Sequence, residues 1–311
     1  MSRPLVLIGG LAPRHRERVR DFALRLGAPV YAEPLSGLRE DAELAPLHVI
    51  NERSLGRGGF DQVIRIGNVP TLRFWRDLET LPIDVVHYGA LPFAGITRGE
   101  VHSIESLPNA ERADRDDAFL AHDRTQATLF RDILAAEPDS EPAMFHILSL
   151  QLPRGARIYL GNSLPIREWD LAATREPRGF EIDAVRAAVG IDGQLSTFFG
   201  WCAPGATNVA IVGDLTALYD LNAPWIVPQL DTDHLDFRIV IINNGGGRIF
   251  SRVASLRPLD ERFRERVIEN AHALRFEQWA NMFGIEDRVM EMRPDAEATR
   301  RVWERYDALW A

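Results

Sequence analysis

The fold is decided by the stretch VAIVGDLTALYDLNAPWIVPQLDTDHLDFRIVIINNGGGRIF, residues 209–250. Two apolar runs in it, Val209–Val212 and Ile239–Ile242, predict buried strands of a parallel sheet. The first run leads into Gly213-Asp214 and a helical pattern, and the second ends in Asn243-Asn244 followed by three glycines. In an open α/β sheet, ligands bind just beyond the carboxyl ends of such strands. The stretch therefore predicts a ligand site at that edge.

Composition limits the classes of protein that this chain can be. Its 311 residues suggest two domains, and a net charge of −9 with scattered basic residues argues against nucleic-acid binding. Cys202 is the single cysteine, which excludes an internal disulfide framework and favours a reducing compartment. The first residues lack the apolar core of a signal peptide, and no apolar run reaches the length of a membrane span. The prediction is a soluble, cytoplasmic protein without a membrane span.

Short apolar runs alternate with helical patterns through the first 110 or so residues. Such alternation predicts parallel sheets covered by helices on both faces. The predicted fold class is α/β, with two three-layer α/β domains and mostly parallel sheets. The predicted boundaries are residues 1–113 for a central domain, 114–140 for a linker and first helix, and 141–311 for a second α/β domain. Strands are predicted at Pro4–Ile8, Val30–Ala32, Gln62–Ile66, Val85–Tyr88, Val101–Ile104, Arg157–Leu160 and near Ile182–Val185, and helices at Arg14–Leu26, Leu72–Leu81, about 124–135 and 141–152.

Two further features of the chain allow more than one interpretation. Gly9-Gly10 follows the first strand, as in dinucleotide-binding proteins, but the sequence lacks the G-x-G-x-x-G spacing and equally fits a tight turn. After Phe250 the pattern is mostly helical, and no closing strand is predicted. The absence of that strand suggests a truncated C-terminus.

Asp214 and the Asn243-Asn244 pair have the chemistry of a metal site. Mg²⁺ prefers oxygen ligands, few of them carboxylates, and often shares its sites with phosphates. Glycines and helix N-termini near them would let backbone N–H groups approach an anion. Taken singly, Asp214 could be a helix N-cap and the asparagines a turn. Because each follows an apolar strand, together they favour a metal–diphosphate site.

The spacing of these residues resembles a known signature. Residues 216–242, which are 27 positions, separate Gly213-Asp214-Leu215 from Asn243-Asn244, and thiamin-diphosphate-dependent enzymes have a similar spacing. Leu215 stands where many members have glycine. Four blocks in order, GNSLPIR (161–167), GIDGQLST (190–197), GDLTALYDLN (213–222) and NNGGGRIFS (243–251), resemble the 2-succinyl-5-enolpyruvyl-6-hydroxy-3-cyclohexene-1-carboxylate (SEPHCHC) synthase family of menaquinone biosynthesis.

The resemblance implies a role for particular residues. Asp214, Asn244 and the Gly246 carbonyl would hold Mg²⁺ or Mn²⁺, and Asn243 would support the turn. Ile191 would hold thiamin diphosphate in its bent form, although an isoleucine there could equally be a core residue. The remaining cofactor-binding positions are Gly190, Gly213 and Leu215, and the substrate-binding positions are Ser163, Arg167, Arg186, Arg73, Ile249 and Phe250. Arg73 replaces a frequent lysine of the family and could instead be a surface charge.

The resemblance also implies a reaction. Members of the family decarboxylate 2-oxoglutarate and add the succinyl-semialdehyde carbanion to isochorismate, giving SEPHCHC. Both substrates are anions, which suits arginine side chains because guanidinium groups bind carboxylates in bidentate fashion. The family's activating glutamate lies in a pyrimidine-binding domain that precedes the matched region, so no catalytic residue is assignable here. A homo-oligomer such as a dimer, or a partner chain carrying that domain, is expected to complete the site.

Two other hypotheses remain open from the sequence. One is another thiamin-diphosphate lyase or decarboxylase with different substrates. The other is a non-catalytic subunit or fragment that binds the cofactor without turnover.

Overall fold

Two compact units make up the chain. The computed structural model describes residues 3–113, 115–186, 190–230, 234–256 and 258–311. The first unit comprises Met1–Ala136, Arg175–Arg178 and Glu304–Ala311, and the second comprises Glu137–Thr174 and Gly179–Trp303. In the described residues, no helix combines the length and the apolar character that crossing a membrane requires.

The first unit contains a parallel five-stranded sheet. Its strands are β1 (Pro4–Ile8), β2 (Val30–Ala32), β3 (Gln62–Ile66), β4 (Asp84–Tyr88) and β5 (Val101–His102), in the order β2-β1-β3-β4-β5. Helices α1 (Pro13–Leu26), α2 (Glu52–Leu55), α3 (Arg73–Asp77) and α4 (Asp117–Ala136) belong to the same unit.

Apolar residues cover both faces of this sheet. All five residues of β1 are buried, as expected for a strand packed between two layers. Val6 and Ile8 pack with Val19 and Phe22 of α1 in one core cluster. Leu5 and Leu7 face the opposite way and pack in a second cluster, together with residues of α3 and α4. The alternation of β1 side chains between two cores makes this unit a three-layer α/β domain.

The second unit repeats the architecture. Its strands are β6 (Arg157–Leu160), β7 (Glu181–Asp183), β8 (Thr207–Gly213), β9 (Asp236–Ile242) and β10 (Val289–Met292), and every pair is parallel. The order is β10-β9-β8-β6-β7. After β7 the chain crosses to the other side of β6, so the strand order reverses between β6 and β8. Such a switch point opens a crevice at the carboxyl ends of the two strands.

Helices flank this second sheet and follow its strands. They are α5 (Glu141–Gln151), α6 (Leu164–Ala172), α7 (Gln194–Trp201), α8 (Asp214–Tyr219), α9 (Glu261–Phe263), α10 (Glu277–Met282) and α11 (Ala296–Ala308), of which α11 extends into the first unit at Glu304. Short 3₁₀ segments occur at Ala223–Gln229 and Arg248–Arg252, and a π-helical segment occurs at Arg264–Ile268. The predicted fold class, two three-layer α/β domains with parallel sheets, is confirmed.

Strand β10 corrects the prediction that no strand follows Phe250. Val289–Met292 pairs with β9 over four residues, so the observation behind the suggested C-terminal truncation is wrong. The sequence VMEM includes a glutamate and is only partly buried at the sheet edge, so it has no apolar run of the kind that marks β8 and β9. Edge strands lack the two-sided burial on which the sequence prediction depended.

Several element boundaries also differ from those predicted. Helix α4 begins at Asp117, inside a polar stretch predicted as linker, because Phe119 and Leu120 pack into the core. Strand β5 ends at His102, and a 3₁₀ turn at Ile104–Ser106 replaces its predicted end. Helix α3 spans only Arg73–Asp77 of the predicted ten residues.

Candidate functional site

Asp214 stands at the switch point of the second sheet. It is the first residue of α8 directly after β8, and it is only 2% exposed. Its Oδ2 accepts hydrogen bonds from the N–H groups of Gly245 and Gly246, both at 2.8 Å. Its Oδ1 accepts from the N–H of Leu215 at 2.6 Å. One carboxylate therefore joins the end of β8 to the loop after β9.

The glycines after Asn244 allow this close approach. Gly245 and Gly246 have φ values of +82° and +135°, which side chains rarely adopt. A Cβ on Gly246 would lie 2.6 Å from the carbonyl oxygen of Glu269. By contrast, a Cβ on Gly213 would meet nothing within 4 Å, so open space lies beside the end of β8. The loop after β9 is therefore tightly packed at Gly246, while space is open at the end of β8.

The two asparagines of the pair have different partners. Asn243 is 5% exposed, and its Nδ2 donates to the carbonyl of Leu274 at 2.9 Å and to Oε1 of Glu291 at 2.8 Å. Asn244 donates from Nδ2 to the carboxyl of Glu141, at 3.0 and 3.2 Å. Its Oδ1 is buried without a hydrogen-bond partner among the described residues. Asn243 is thus fully engaged in holding the loop, whereas Asn244 has a free oxygen for a ligand.

This oxygen set suits a hard cation. Asp214 supplies a carboxylate, Asn244 an unpartnered amide oxygen and Gly246 a carbonyl, which also accepts from the N–H of Arg248 at 2.9 Å. Among the described residues there is no group of three or more histidine, cysteine, aspartate or glutamate side chains that could hold a metal alone. Mg²⁺ that shares its shell with phosphate oxygens and water needs no such cage. The residues present therefore fit Mg²⁺ bound together with a diphosphate.

Burial and neighbouring hydrogen-bond donors act in opposite directions on the Asp214 carboxylate. Burial raises the pKa of Asp214, against the opposing effect of the N–H groups of Gly246 and Leu215, and of His272. His272 accepts from the N–H of Leu274 at its Nδ1, at 3.2 Å, so its Nε2 carries the hydrogen. That Nε2 lies 3.4 Å from Oδ2 of Asp214. A bound cation would favour the ionised carboxylate and offset the effect of burial.

Asn162 joins two of the sequence blocks, and Arg186 between them, at the same edge. It follows β6 and is 4% exposed. Its Nδ2 donates to the carbonyl of Gly190 at 3.0 Å, and its Oδ1 accepts from Nη1 of Arg186. Ile191, half-buried, comes next in the chain after Gly190. The structure thus brings Arg186 and Gly190 to the end of β6, while residues 187–189 lie outside the described part of the chain.

Ser163 and Arg167 belong to the turn between β6 and α6. Ser163 has a φ of +76°, a strained value for a residue with a side chain, and its hydroxyl does not cap α6. Its carbonyl accepts from Nη1 of Arg167 at 2.6 Å, and Arg167 is exposed. Strain of this kind is concentrated at functional sites, where the surrounding structure maintains it.

Ile249 and Phe250 lie on the 3₁₀ segment Arg248–Arg252. Ile249 is half-buried and Phe250 is 40% exposed. Arg252 of this segment pairs with Glu168 of α6 at 3.2 Å. The segment that carries Ile249 and Phe250 is therefore tied to the helix that carries Arg167.

Arg73 is the one predicted site residue that belongs to the first unit. It begins α3, its side chain is 81% exposed, and its Nε lies 3.9 Å from Oδ2 of Asp77. Its role in substrate binding stays a prediction.

Sequence reasoning missed several residues that build the site. Glu269, 1% exposed, pairs with Arg248 at 2.8 Å and with Arg264 at 3.0 Å, and so anchors the loop after β9. Asp220 accepts from the N–H of Gly193 at 2.6 Å and of Leu195 at 2.7 Å. Asn162, although inside a quoted block, had no role assigned to it. Each acts on residues distant in sequence, and the sequence has no periodic pattern that signals such a contact.

The second unit is therefore a doubly wound α/β domain whose switch-point edge is arranged to bind a ligand. No family model matches the chain. The chain is 37% identical, over an alignment 340 positions long, to the SEPHCHC synthase of Bdellovibrio bacteriovorus, covering 99% of this chain and 62% of that protein. It is 36% identical over 291 residues to the synthase of the same name from Akkermansia muciniphila, covering 90% of this chain and 54% of that protein.

A more distant relative agrees with these two. The SEPHCHC synthase of a Roseiflexus species is 30% identical over 309 residues, covering 92% of this chain and 51% of that protein. The resemblance that the four blocks indicate is confirmed: the chain is a homologue of SEPHCHC synthases. It spans a little more than half the length of these curated relatives.

Proposed function

We propose that this chain supplies the Mg²⁺- and diphosphate-binding part of a SEPHCHC synthase of menaquinone biosynthesis. The reaction would be the decarboxylation of 2-oxoglutarate and the addition of its remaining four-carbon unit to isochorismate. The observation that carries the proposal is the unpartnered Oδ1 of Asn244, in the loop whose next two N–H groups bond to Asp214 at the switch point of the second sheet. The named relatives support it.

The cofactor in this proposal is thiamin diphosphate with Mg²⁺. Asp214, Asn244 and the Gly246 carbonyl would hold the metal, with Gly213 and Leu215 beside the diphosphate. Asn162 holds the carbonyl of Gly190, and the next residue, Ile191, would support the cofactor from below. When bound, the cofactor supplies the electron sink for decarboxylation, and the protein supplies position and electrostatics.

The two substrates together carry four carboxylates, and the proposed contacts to them are mainly cationic. Arg167 and Arg186 are proposed to bind substrate carboxylates, because guanidinium groups stay charged and form bidentate pairs. Ser163 would add a hydroxyl, and Ile249 and Phe250 would exclude water from the reacting atoms. Arg73, which belongs to the first unit, is proposed as a further substrate-binding cation.

A pyrimidine-binding domain is proposed to complete the site, on the same polypeptide or on a partner. The relatives are longer than the matched region, which leaves room in them for such a domain. We further propose that the functional assembly is a dimer in the cytoplasm, with each site formed between two domains. The 311 residues alone would then bind cofactor weakly and show no turnover.

The test uses mass spectrometry to detect the product formed from 2-oxoglutarate and isochorismate. The chain is assayed with Mg²⁺ and thiamin diphosphate, alone and mixed with the part of the Bdellovibrio relative that it does not cover. SEPHCHC should form only in the mixture. Product from the 311 residues alone would overturn the requirement for a second domain, and no product in any mixture would contradict the proposed function.

Arginine variants separate this function from that of another thiamin-diphosphate enzyme. Arg167→Lys and Arg186→Lys should raise the KM for 2-oxoglutarate about tenfold or more, because bidentate pairing is lost. Arg300→Lys, on the exposed face of α11, is the matched control. Unchanged use of 2-oxoglutarate by both variants would favour a different substrate.

A further inference from the structure

Glu141 is a buried carboxylate with an unusual set of contacts. It is the first residue of α5 and is 2% exposed. Its two carboxyl oxygens lie 3.2 and 3.0 Å from Nδ2 of Asn244, across 103 residues of sequence. Ser140, not Glu141, caps the helix, accepting from the N–H of Ala143 at 3.3 Å. The side chain of Glu141 is therefore directed at Asn244 rather than at its own helix.

The bond determines which end of the Asn244 amide faces Glu141 and which end faces away from it. An asparagine side chain has an oxygen that accepts and a nitrogen that only donates. Because the Glu141 oxygens accept from Nδ2, Oδ1 must point away from Glu141, and it has no hydrogen-bond partner there among the described residues. If the amide were turned over, its N–H₂ group would face the cation and could not bind it.

A purely structural role explains Glu141 less well. The helix dipole stabilises an acidic residue in a first helical turn whatever that residue contacts, so the dipole alone does not explain why Glu141 bonds to Asn244. A carboxyl group at this position costs folding stability, and its visible contact is with the proposed metal ligand.

We propose that Glu141 is a positioning residue that holds the Asn244 amide with its oxygen toward the metal. The inference rests on the proposed function, since it presupposes a cation at Asp214 and Asn244. Hydrogen-bond partners behind a metal ligand orient it, and their loss typically weakens metal binding by 10–100-fold.

The test measures Mn²⁺ affinity by electron paramagnetic resonance, with saturating thiamin diphosphate and the 311-residue chain. Glu141→Met removes both acceptors while keeping an unbranched side chain. Its Kd for Mn²⁺ should rise about tenfold or more. The matched control is Glu168→Met, because Glu168 is equally buried at 1% exposed but pairs with Arg252 instead of Asn244. Its Kd should change less than about threefold.

A swapped pair distinguishes positioning from general damage to the fold. In Glu141→Gln combined with Asn244→Asp, the glutamine nitrogen can donate to one aspartate oxygen, and the other oxygen remains for the metal. This double variant should bind Mn²⁺ within about threefold of the parent. If Glu141→Met lost Mn²⁺ binding only because packing was disturbed, exchanging the hydrogen-bond donor and acceptor would not restore that binding.

Each outcome decides the inference. Parent-like Mn²⁺ binding by a folded Glu141→Met chain would overturn it, and so would a swapped pair that binds no better than Glu141→Met. Circular dichroism and thermal melting check that each variant is folded. The Asp214→Asn variant separates this inference from the proposed function: if it too binds Mn²⁺ like the parent, or if the parent binds none, both ideas fail. If Asp214→Asn loses Mn²⁺ binding but Glu141→Met does not, the metal site is supported and the positioning role of Glu141 is rejected.

Discussion

The side chain of Asp214 accepts hydrogen bonds from three backbone N–H groups. The residue before it, Gly213, lies beside open space at the end of β8. A group with these bonds could be a purely structural cap. What distinguishes it is the neighbouring Asn244, which leaves a buried oxygen without a hydrogen-bond partner among the described residues. Buried polar atoms are nearly always paired, so an unpaired oxygen in the loop that bonds to Asp214 supports a ligand-binding role for that loop.

The sequence predicted these ligands but not the residues behind them. Asp214 and the Asn243-Asn244 pair stand out because each follows an apolar strand, and the ends of neighbouring parallel strands lie together. The choice of Asn244 within the pair comes from the family resemblance. Glu141 and His272 could not be found this way. They reach the site from a helix start and an irregular segment, and no periodic pattern predicts such contacts.

Glu40, in the first unit, gives a prediction about pH. Burial raises its pKa from 4.5 to about 7, against the attraction of Arg39. The folded state therefore binds this proton more tightly than the unfolded state. Its contribution to stability is fully present below pH 4.5 and is lost as the pH rises through 7. As the pH rises from 4.5 to 8, the free energy of unfolding of the parent should therefore fall relative to that of Glu40→Gln. The fall should be at most about 3 kcal/mol.

Urea denaturation of both proteins between pH 4.5 and 8 measures this difference. Glu43→Gln, at an exposed position three residues away, is the control and should follow the parent. A parent and a Glu40→Gln variant with parallel pH profiles would contradict the prediction.

At the scale of elements, buried strands were predictable and edge strands were not. Strands β8 and β9 have apolar runs because both of their faces are covered, whereas β10 has a glutamate whose carboxyl holds the Asn243 side chain. The start of α4 was missed for a related reason. Phe119 and Leu120 stand in a polar stretch, and only the packed core reveals their burial.

Asp220, which follows α8, holds the start of α7 through hydrogen bonds. Its carboxylate, 4% exposed, accepts the N–H groups of Gly193 and Leu195 at the start of α7. Asp220→Ala would leave two N–H donors without their partner, so the free energy of unfolding should fall by about 2 kcal/mol. The affinity for thiamin diphosphate should fall as well, because Gly190 and Ile191 lie in the adjoining loop.

Denaturation and calorimetry measure the two effects. Asp192→Ala removes an exposed carboxylate from the same loop and should change stability by less than about 0.5 kcal/mol. Equal losses in the two variants would show that Asp220 has no special role.

At the scale of the whole molecule, the second unit exposes large apolar side chains. Tyr219 is 64% exposed, Leu221 43% and Trp225 75%, all within seven residues of one another in sequence. Exposed apolar clusters mark interaction surfaces. We therefore expect the isolated chain to associate with itself at micromolar concentration when no other domain covers this segment.

Sedimentation velocity tests this expectation. Trp225→Ser should shift the distribution toward the monomer, whereas Leu129→Ser, at another exposed apolar position, should not. A parent chain that is monomeric at all concentrations would contradict the prediction.

The central claim is that Asp214, Asn244 and Gly246 hold a metal-bound diphosphate. Isothermal titration of thiamin diphosphate into the 311-residue chain, with and without Mg²⁺, tests it most directly. Binding should be saturable, should require Mg²⁺, and should weaken at least about tenfold in Asp214→Asn and in Asp214→Ala, a loss of about 1.4 kcal/mol. Binding that is unaffected by removal of Mg²⁺, or equal affinity in the folded Asp214 variants, would contradict the claim.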